Sequence, residues 1–261
     1  MPLKRLILLL ALLYGTQSAL AQVIPPAQQP PIRVGYIEFA PYTHTDAQGQ
    51  PAGELIEFLR LVVQRAGYQA DFVEYPSYRL FKSMETGQIE LCASLIRHPV
   101  MEAYSLRSRY RIAQVKLNLY YKDQPQPPRM EALRDTRLLL IQGLVYPGSP
   151  LMALSQDTAN GVILARAPTH QAAVQMMHFK RADYLLDYQT PTEAAFEATR
   201  LPVLPFVTVL QQDFTFAYAR ASPRAQQLRD ALDRAMEQLR DQGQLPGRFR
   251  DIAPYATEPA P

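Results

Sequence analysis

The stretch "IRVGYIEFAPYTHTDAQGQPAGELIEFLRLVVQRAGYQADFVEYPSYRLFKSMETGQIELCASLI", residues 32–96, decides the fold. At its start Ile32, Val34 and Tyr36 alternate with Arg33 and Gly35, the spacing of a strand. Turn residues follow at Asp46, Gly49 and Gly53. Leu55, Phe58, Leu59, Val62 and Val63 then recur at helical spacing, and Gly67 ends that helix. "QADFVEYP" reads as a second strand. "YRLFKSMETG" reads as a second helix with Leu80, Phe81 and Met84 on one face, and "IELCASLI" as a third strand. Strand–helix–strand–helix–strand predicts an α/β layer with parallel strands.

Further along, "RIAQVKLNLYYKD" alternates as a strand, and "QPQPP", Gln124–Pro128, reads as a hinge or linker. The pattern then restarts. "TRLLLIQG" is a strand with Gly143 at its exit, and Ser149 followed by Pro150 signals an N-cap and the first turn of a helix. "GVILARAP" is a strand, "THQAAVQMMHFKR" a helix and "ADYLLDY" a strand. "VLPFVTVLQQDFTFAYAR" holds one or two more strands. A long amphipathic helix follows, with Leu228, Leu232, Ala235, Met236 and Leu239 on its apolar line and Gly243 as its stop. Two α/β lobes are therefore expected, with ligands at the carboxyl ends of the strands and in the cleft between lobes.

The N-terminus predicts export. Lys4 and Arg5 precede an apolar run from Leu6 to Tyr14, and Ala19-Leu20-Ala21 forms a small-x-small cleavage site. The run is shorter than the ~20 residues of a spanning helix, so cleavage after Ala21 is expected. Removing residues 1–21 takes away two cations from a chain whose formal net charge is +3, leaving it nearly neutral. No basic stripe is present, so nucleic acid is not an expected partner. The only cysteine, Cys92, lies in an apolar run and reads as a small buried hydrophobe. It and four scattered histidines show no metal-ligand spacing. No metal and no cofactor are expected.

"VGYIEFAPYT", "DAQGQPAGELIEFL", "GYQADFVEYPSYRLFKSMETGQIEL" and "NLYYK", then "KRADYLLDY", "FAYARASP" and the terminal "DQGQL", come in an order and spacing that resembles the extracellular solute-binding proteins of family 3. The resemblance implies the type II periplasmic-binding fold, two lobes that each carry a mixed sheet flanked by helices, with a cleft and hinge between them. The boundaries it suggests are a signal peptide at 1–21, a Pro-rich leader at 22–31 and a first lobe at 32–122. A second lobe follows at 123–210, then a return to the first lobe at 211–255 and a disordered tail at 256–261. Relatives trap a small polar solute by hinge closure. Aromatic rings stack on the ligand, a cation and helix N-termini hold its carboxylate, and a second-lobe carboxylate pairs with its ammonium.

Carried onto this chain, the resemblance names Tyr42, in "FAPYT", as an aromatic ligand wall, with Glu38 and Phe39 as less specific neighbours. Glu57 reads as structural. Tyr75 and Tyr78 flank Ser77, which stands where relatives carry tryptophan, and either ring can supply the stacking face. Arg79 faces the ligand or ties down the loop. Ser94 ends a strand where relatives present hydroxyl or backbone groups. In "LIRHPVMEAYS" the family's carboxylate-gripping arginine column reads Met101. Arg97, with His98 beside it, is the nearest substitute; otherwise carboxylate recognition is absent, and both readings stay open. The turn from Gly143 to Ser149 offers a helix N-terminus, and Asp187 matches the ammonium-binding aspartate, with Asp183 structural.

The resulting expectation is a periplasmic, non-catalytic, monomeric receptor for a small polar solute, an amino acid or derivative, serving an ABC permease or a sensor. Two alternatives accompany it. One is an enzyme on the same scaffold, similar to cyclohexadienyl dehydratase, with Glu38, His98 and Asp187 as acid–base groups. The other is a receptor-derived signalling or protein-binding domain.

Overall fold

The computed structural model describes residues 29–95, 98–123 and 133–255. The expected signal segment, most of the Pro-rich leader, Arg97, the Gln124–Pro128 segment and the tail from 256 onward lie outside the described residues. Among the described residues, no helix is long and apolar enough to cross a membrane.

The opening stretch folds as β1 (Ile32–Tyr36), α1 (Glu54–Arg65), β2 (Ala70–Glu74), α2 (Ser77–Glu85) and β3 (Leu91–Leu95). β2 and β3 lie on either side of β1 and run parallel to it, which helical crossovers require. α1 buries Leu55, Ile56, Phe58, Leu59, Val62 and Val63. Phe58 stacks on Phe249, with ring centroids 4.4 Å apart. No side chain caps the N-terminus of α1. The carbonyls of Pro41 and Tyr42 do so instead, accepting from the N–H groups of Glu54 at 3.1 Å and Leu55 at 2.9 Å. That approach needs Gly53, at φ 113°, because a Cβ there would run into the Tyr42 carbonyl. The "FAPYT" loop is thus clamped to the helix behind it.

The second half comprises β4 (Ala113–Tyr121), β5 (Arg137–Ile141), α3 (Pro150–Gln156), β6 (Ile163–Ala167), α4 (His170–His178), β7 (Tyr184–Tyr188), α5 (Gln189–Thr199), β8 (Phe206–Ala219) and α6 (Ala225–Asp241). The two expected mixed sheets run together into one, in the order β6-β5-β7-β4-β8-β3-β1-β2, with Ser105–Arg107 beside the end of β8. The reason is β8, a single long strand where one or two were expected. Its first part, from Phe206 to Phe214, pairs antiparallel with β4 across an irregularity between Thr208 and Leu210. Its last part, Phe214 to Tyr218, pairs antiparallel with β3. β4 in turn pairs with β7 over Leu117–Tyr121. The two halves share this backbone, and their junction lies where β8 changes partner.

Helix α5 was not foreseen from the sequence: its buried residues Pro191, Thr192, Ala195 and Phe196 make a weak apolar stripe. Ser149 stands at the N-cap of α3, but its hydroxyl makes no cap bond and is buried without a partner. A buried charge network ties the ends of the first half together. Glu90 accepts from Arg224 Nε at 2.9 Å, Arg224 Nη2 at 2.8 Å and the Ser222 hydroxyl at 2.9 Å.

Candidate functional site

A cavity of about 90 Å³ lies at the junction of the two halves. The first half supplies the ends of β1 and β3, with Tyr36, Ile37, Ala93, Ser94 and Leu95 on the wall. Leu55 and Leu59 of α1 and Ser77, Leu80 and Phe81 of α2 close the sides. Phe39 and Thr43 come from the clamped loop, and His98 stands just beyond β3. Across the junction are Leu144, Val145 and Tyr188, with Val115 and Phe214 from the shared strands.

The wall is largely apolar. No Asp, Glu, Lys or Arg occurs among its described residues. Some of its polar groups are engaged: Thr43 donates to the Ile37 carbonyl at 2.7 Å, and the Tyr188 hydroxyl donates to the Val145 carbonyl at 3.1 Å. His98 differs. It is 5 % exposed, and neither ring nitrogen has a partner. Its ring sits 4.6 Å from that of Phe81. Burial pushes its pKa below the ordinary histidine value, so the ring is neutral near pH 7 and carries one donor and one acceptor.

Aromatic and hydroxyl contacts join the halves around the cavity. Phe39 meets Tyr188 edge-on at 5.3 Å and His170 at 6.3 Å, and stacks on Tyr42 at 5.8 Å. The Tyr42 hydroxyl bonds the Thr190 hydroxyl at 3.2 Å. Tyr188 also stacks on Tyr146 at 5.8 Å.

Of the residues singled out from the sequence, Ser94 and His98 line the cavity, and so do Phe39 and Ser77, named beside Tyr42 and Tyr78. The others described do not. Tyr42 is one layer back, behind Phe39. Tyr78 is 81 % exposed, Arg79 is exposed, and Tyr75 packs beside the Leu80–Met84–Cys92 cluster. Arg97 lies outside the described residues.

Asp187 is fully buried and saturated. It accepts from Thr192 at 2.9 Å and from the Tyr188 N–H at 2.8 Å, and it pairs with His170 Nδ1 at 2.7 Å. The residue that reaches the wall is its neighbour, Tyr188. The turn from Gly143 to Ser149 contributes Leu144 and Val145 rather than an anion-binding helix end, and α3 spans only seven residues. Met101, in the family's arginine column, is core, packed with Leu80, Met84 and Cys92. Cys92 is buried, and burial pushes its thiol up to about 12, which fits a packing role.

Phe81, Val145 and Tyr188 were not named as wall residues from the sequence, and Phe39 was named only as a neighbour of Tyr42. Phe39 and Tyr188 each sit at or just past a strand exit, the position that points to them.

Several solved structures share this architecture. A histidine kinase sensor domain described as similar to periplasmic binding proteins superposes with a TM-score of 0.70 at 18% identity, covering 87% of this chain and 99% of its own. An ancestral arginine-binding protein bound to arginine gives 0.66 at 15% identity, covering 83% and 95%. An ancestral amino-acid-binding protein, a precursor of cyclohexadienyl dehydratase, gives 0.63 at 16% identity, covering 82% and 91%. At such identities the likeness shows the fold, which is the type II periplasmic-binding architecture. No curated protein matches the chain in sequence. The sequence of residues 32–249 does match a family description, and by that match the chain belongs to the bacterial extracellular solute-binding proteins, family 3.

Proposed function

We propose that the chain is a non-catalytic receptor that captures one small solute in the junction cavity and presents it to a membrane partner. The observation that carries this reading is the cavity itself, lined by residues of both halves, with the Phe39–Tyr188 and Tyr42–Thr190 contacts joining those halves. The halves act as lobes, 32–122 with 211–255 against 123–210, and β4 and β8 form the connection about which they move. The compartment is the periplasm, in keeping with an extracellular family and the N-terminal export pattern. An ABC permease is the partner expected for such a receptor, and amino acids or their derivatives are the first solutes to try.

Of the three acid–base groups considered for an enzyme, only His98 lines the cavity; Glu38 is exposed and Asp187 is saturated. Incubation with prephenate is expected to yield no aromatic product. A second reading, a signalling input domain, draws support from the sensor-domain likeness over nearly that domain's whole length. Solute uptake by cells with and without the protein separates transport from signalling.

The test of the receptor reading is thermal unfolding and calorimetric titration against amino acids, amines, amides, alcohols and small organic acids. Saturating a specific solute at about 100 times Kd stabilises the fold by about 2.7 kcal/mol. A panel in which no compound raises Tm ends the reading.

A further inference from the structure

Among the described residues of the cavity wall, the polar side chains Tyr36, Thr43, Ser77, Ser94 and His98 come from the first half, and the second half adds the Tyr188 hydroxyl, which is already bonded to Val145. The opposite wall presents Leu144, Val145 and the Tyr188 ring. Ser77 and Phe81 are one turn apart on α2, and Phe81 packs on His98, so the serine and the imidazole flank one side. Among the described residues, Ser94 donates to the neighbouring Leu95 carbonyl, at a long 3.4 Å. The His98 nitrogens bond nothing.

We propose that this cavity takes a small uncharged molecule with one hydrogen-bonding head, an alcohol or primary amide, held by His98 with Ser94 and Ser77, and an apolar body against Leu144, Val145 and Tyr188. The inference rests on the receptor reading and narrows its solute class. A zwitterion needs two desolvated charges matched at opposite ends. The described wall supplies no charge, and Asp187 is already taken by His170, Thr192 and the Tyr188 amide. A neutral imidazole offers one donor and one acceptor, which an alcohol or amide head matches in full. Size sets the scale: an enclosed cavity of about 150 Å³ holds benzene, and this one is about 90 Å³ and opens to the surface. A branched aliphatic group or a single ring is a body of that scale. The asymmetry also orders the events: the head docks on the first half, and the apolar second half closes over the body.

The probes are isobutyramide and 3-methyl-1-butanol against L-glutamine and L-arginine, with calorimetry and ligand-observed NMR as readouts. The neutral probes are expected to bind and the amino acids not to. His98→Leu is expected to weaken the neutral probes roughly three- to tenfold, the worth of one net hydrogen bond. Val145→Asp, at a half-exposed position where folding is not at stake, is expected to abolish their binding. Binding of either amino acid without the neutral probes overturns the solute class and leaves the receptor reading standing. Equal affinity of the neutral probes for wild type and both variants overturns the assigned site. If no probe binds while another solute of the wider panel does, the class is again wrong; if the whole panel is silent, the receptor reading fails with it.

Discussion

His98 is the residue at which this fold gives up stability. Two ring nitrogens are buried with no partner, and leaving a buried polar group unmade costs about 1–3 kcal/mol. His98→Leu is therefore expected to stabilise the unliganded protein by about 1 kcal/mol in urea unfolding, while it weakens binding. That pairing of gain and loss marks a residue kept for function. The pH dependence has a definite sign. Burial holds the folded-state pKa below the ordinary 6.5, so the unfolded chain takes up the proton first. The His98 contribution is whole above pH 6.5 and is lost as the pH falls through the folded value. Wild type is expected to lose more stability than His98→Leu on going from about pH 7 to about pH 5. A variant that is no more stable, with the same pH slope, would show that the ring carries no desolvation cost.

At the scale of elements, the Glu90–Arg224 pair joins the loop before β3 to the loop before α6. Burial alone pushes the Glu90 carboxyl up, but hydrogen bonds from Arg224, the Arg33 N–H and Ser222 outweigh it and hold the pKa below the ordinary 4.5. The pair's contribution is present above that value and is lost as the pH falls through the depressed one. Glu90→Gln is expected to cost about 3 kcal/mol at pH 7, since it leaves Arg224 only 14 % exposed and without its counter-charge. It should also blunt the acid-induced transition in a circular-dichroism titration. Elements of this kind were unevenly legible in the sequence. β1, α1, β2, α2 and β3 announce themselves by local periodicity and by Gly53, Gly67 and Gly87. α5 does not, because Pro191, Thr192, Ala195 and Phe196 carry too little apolar contrast. The wall of the cavity was the least legible part. A shift of one position separates saturated Asp187 from wall-forming Tyr188, and three positions separate Tyr42 from Phe39. Those choices depend on which way a strand exit turns, and that is set by long-range contacts such as the Tyr42 carbonyl on α1.

At the scale of the whole molecule, the closure proposed above involves the Phe39 ring, edge-on to Tyr188 and near His170, and a hydroxyl pair from Tyr42 to Thr190. An aromatic pair is worth about 0.5–1.5 kcal/mol and a hydrogen bond about 1 kcal/mol, so each can move an open–closed equilibrium by about fivefold. Phe39→Ala with Tyr42→Phe is expected to raise the radius of gyration of the unliganded protein in small-angle scattering, and a saturating solute should lower it again. An unchanged radius would mean that other contacts set the closure. The shared strand has a consequence of a different kind, for a chain still being made. β3 is complete at Leu95, but the strand that covers its edge, β8, reaches it only with Phe214–Tyr218. For the whole interval of synthesis between them, the first half carries a raw sheet edge, the sort of surface that invites pairing with a neighbour. Cys92 lies on that edge opposite Ala217. With this topology, β3 is protected from such pairing only once β8 is there to receive it.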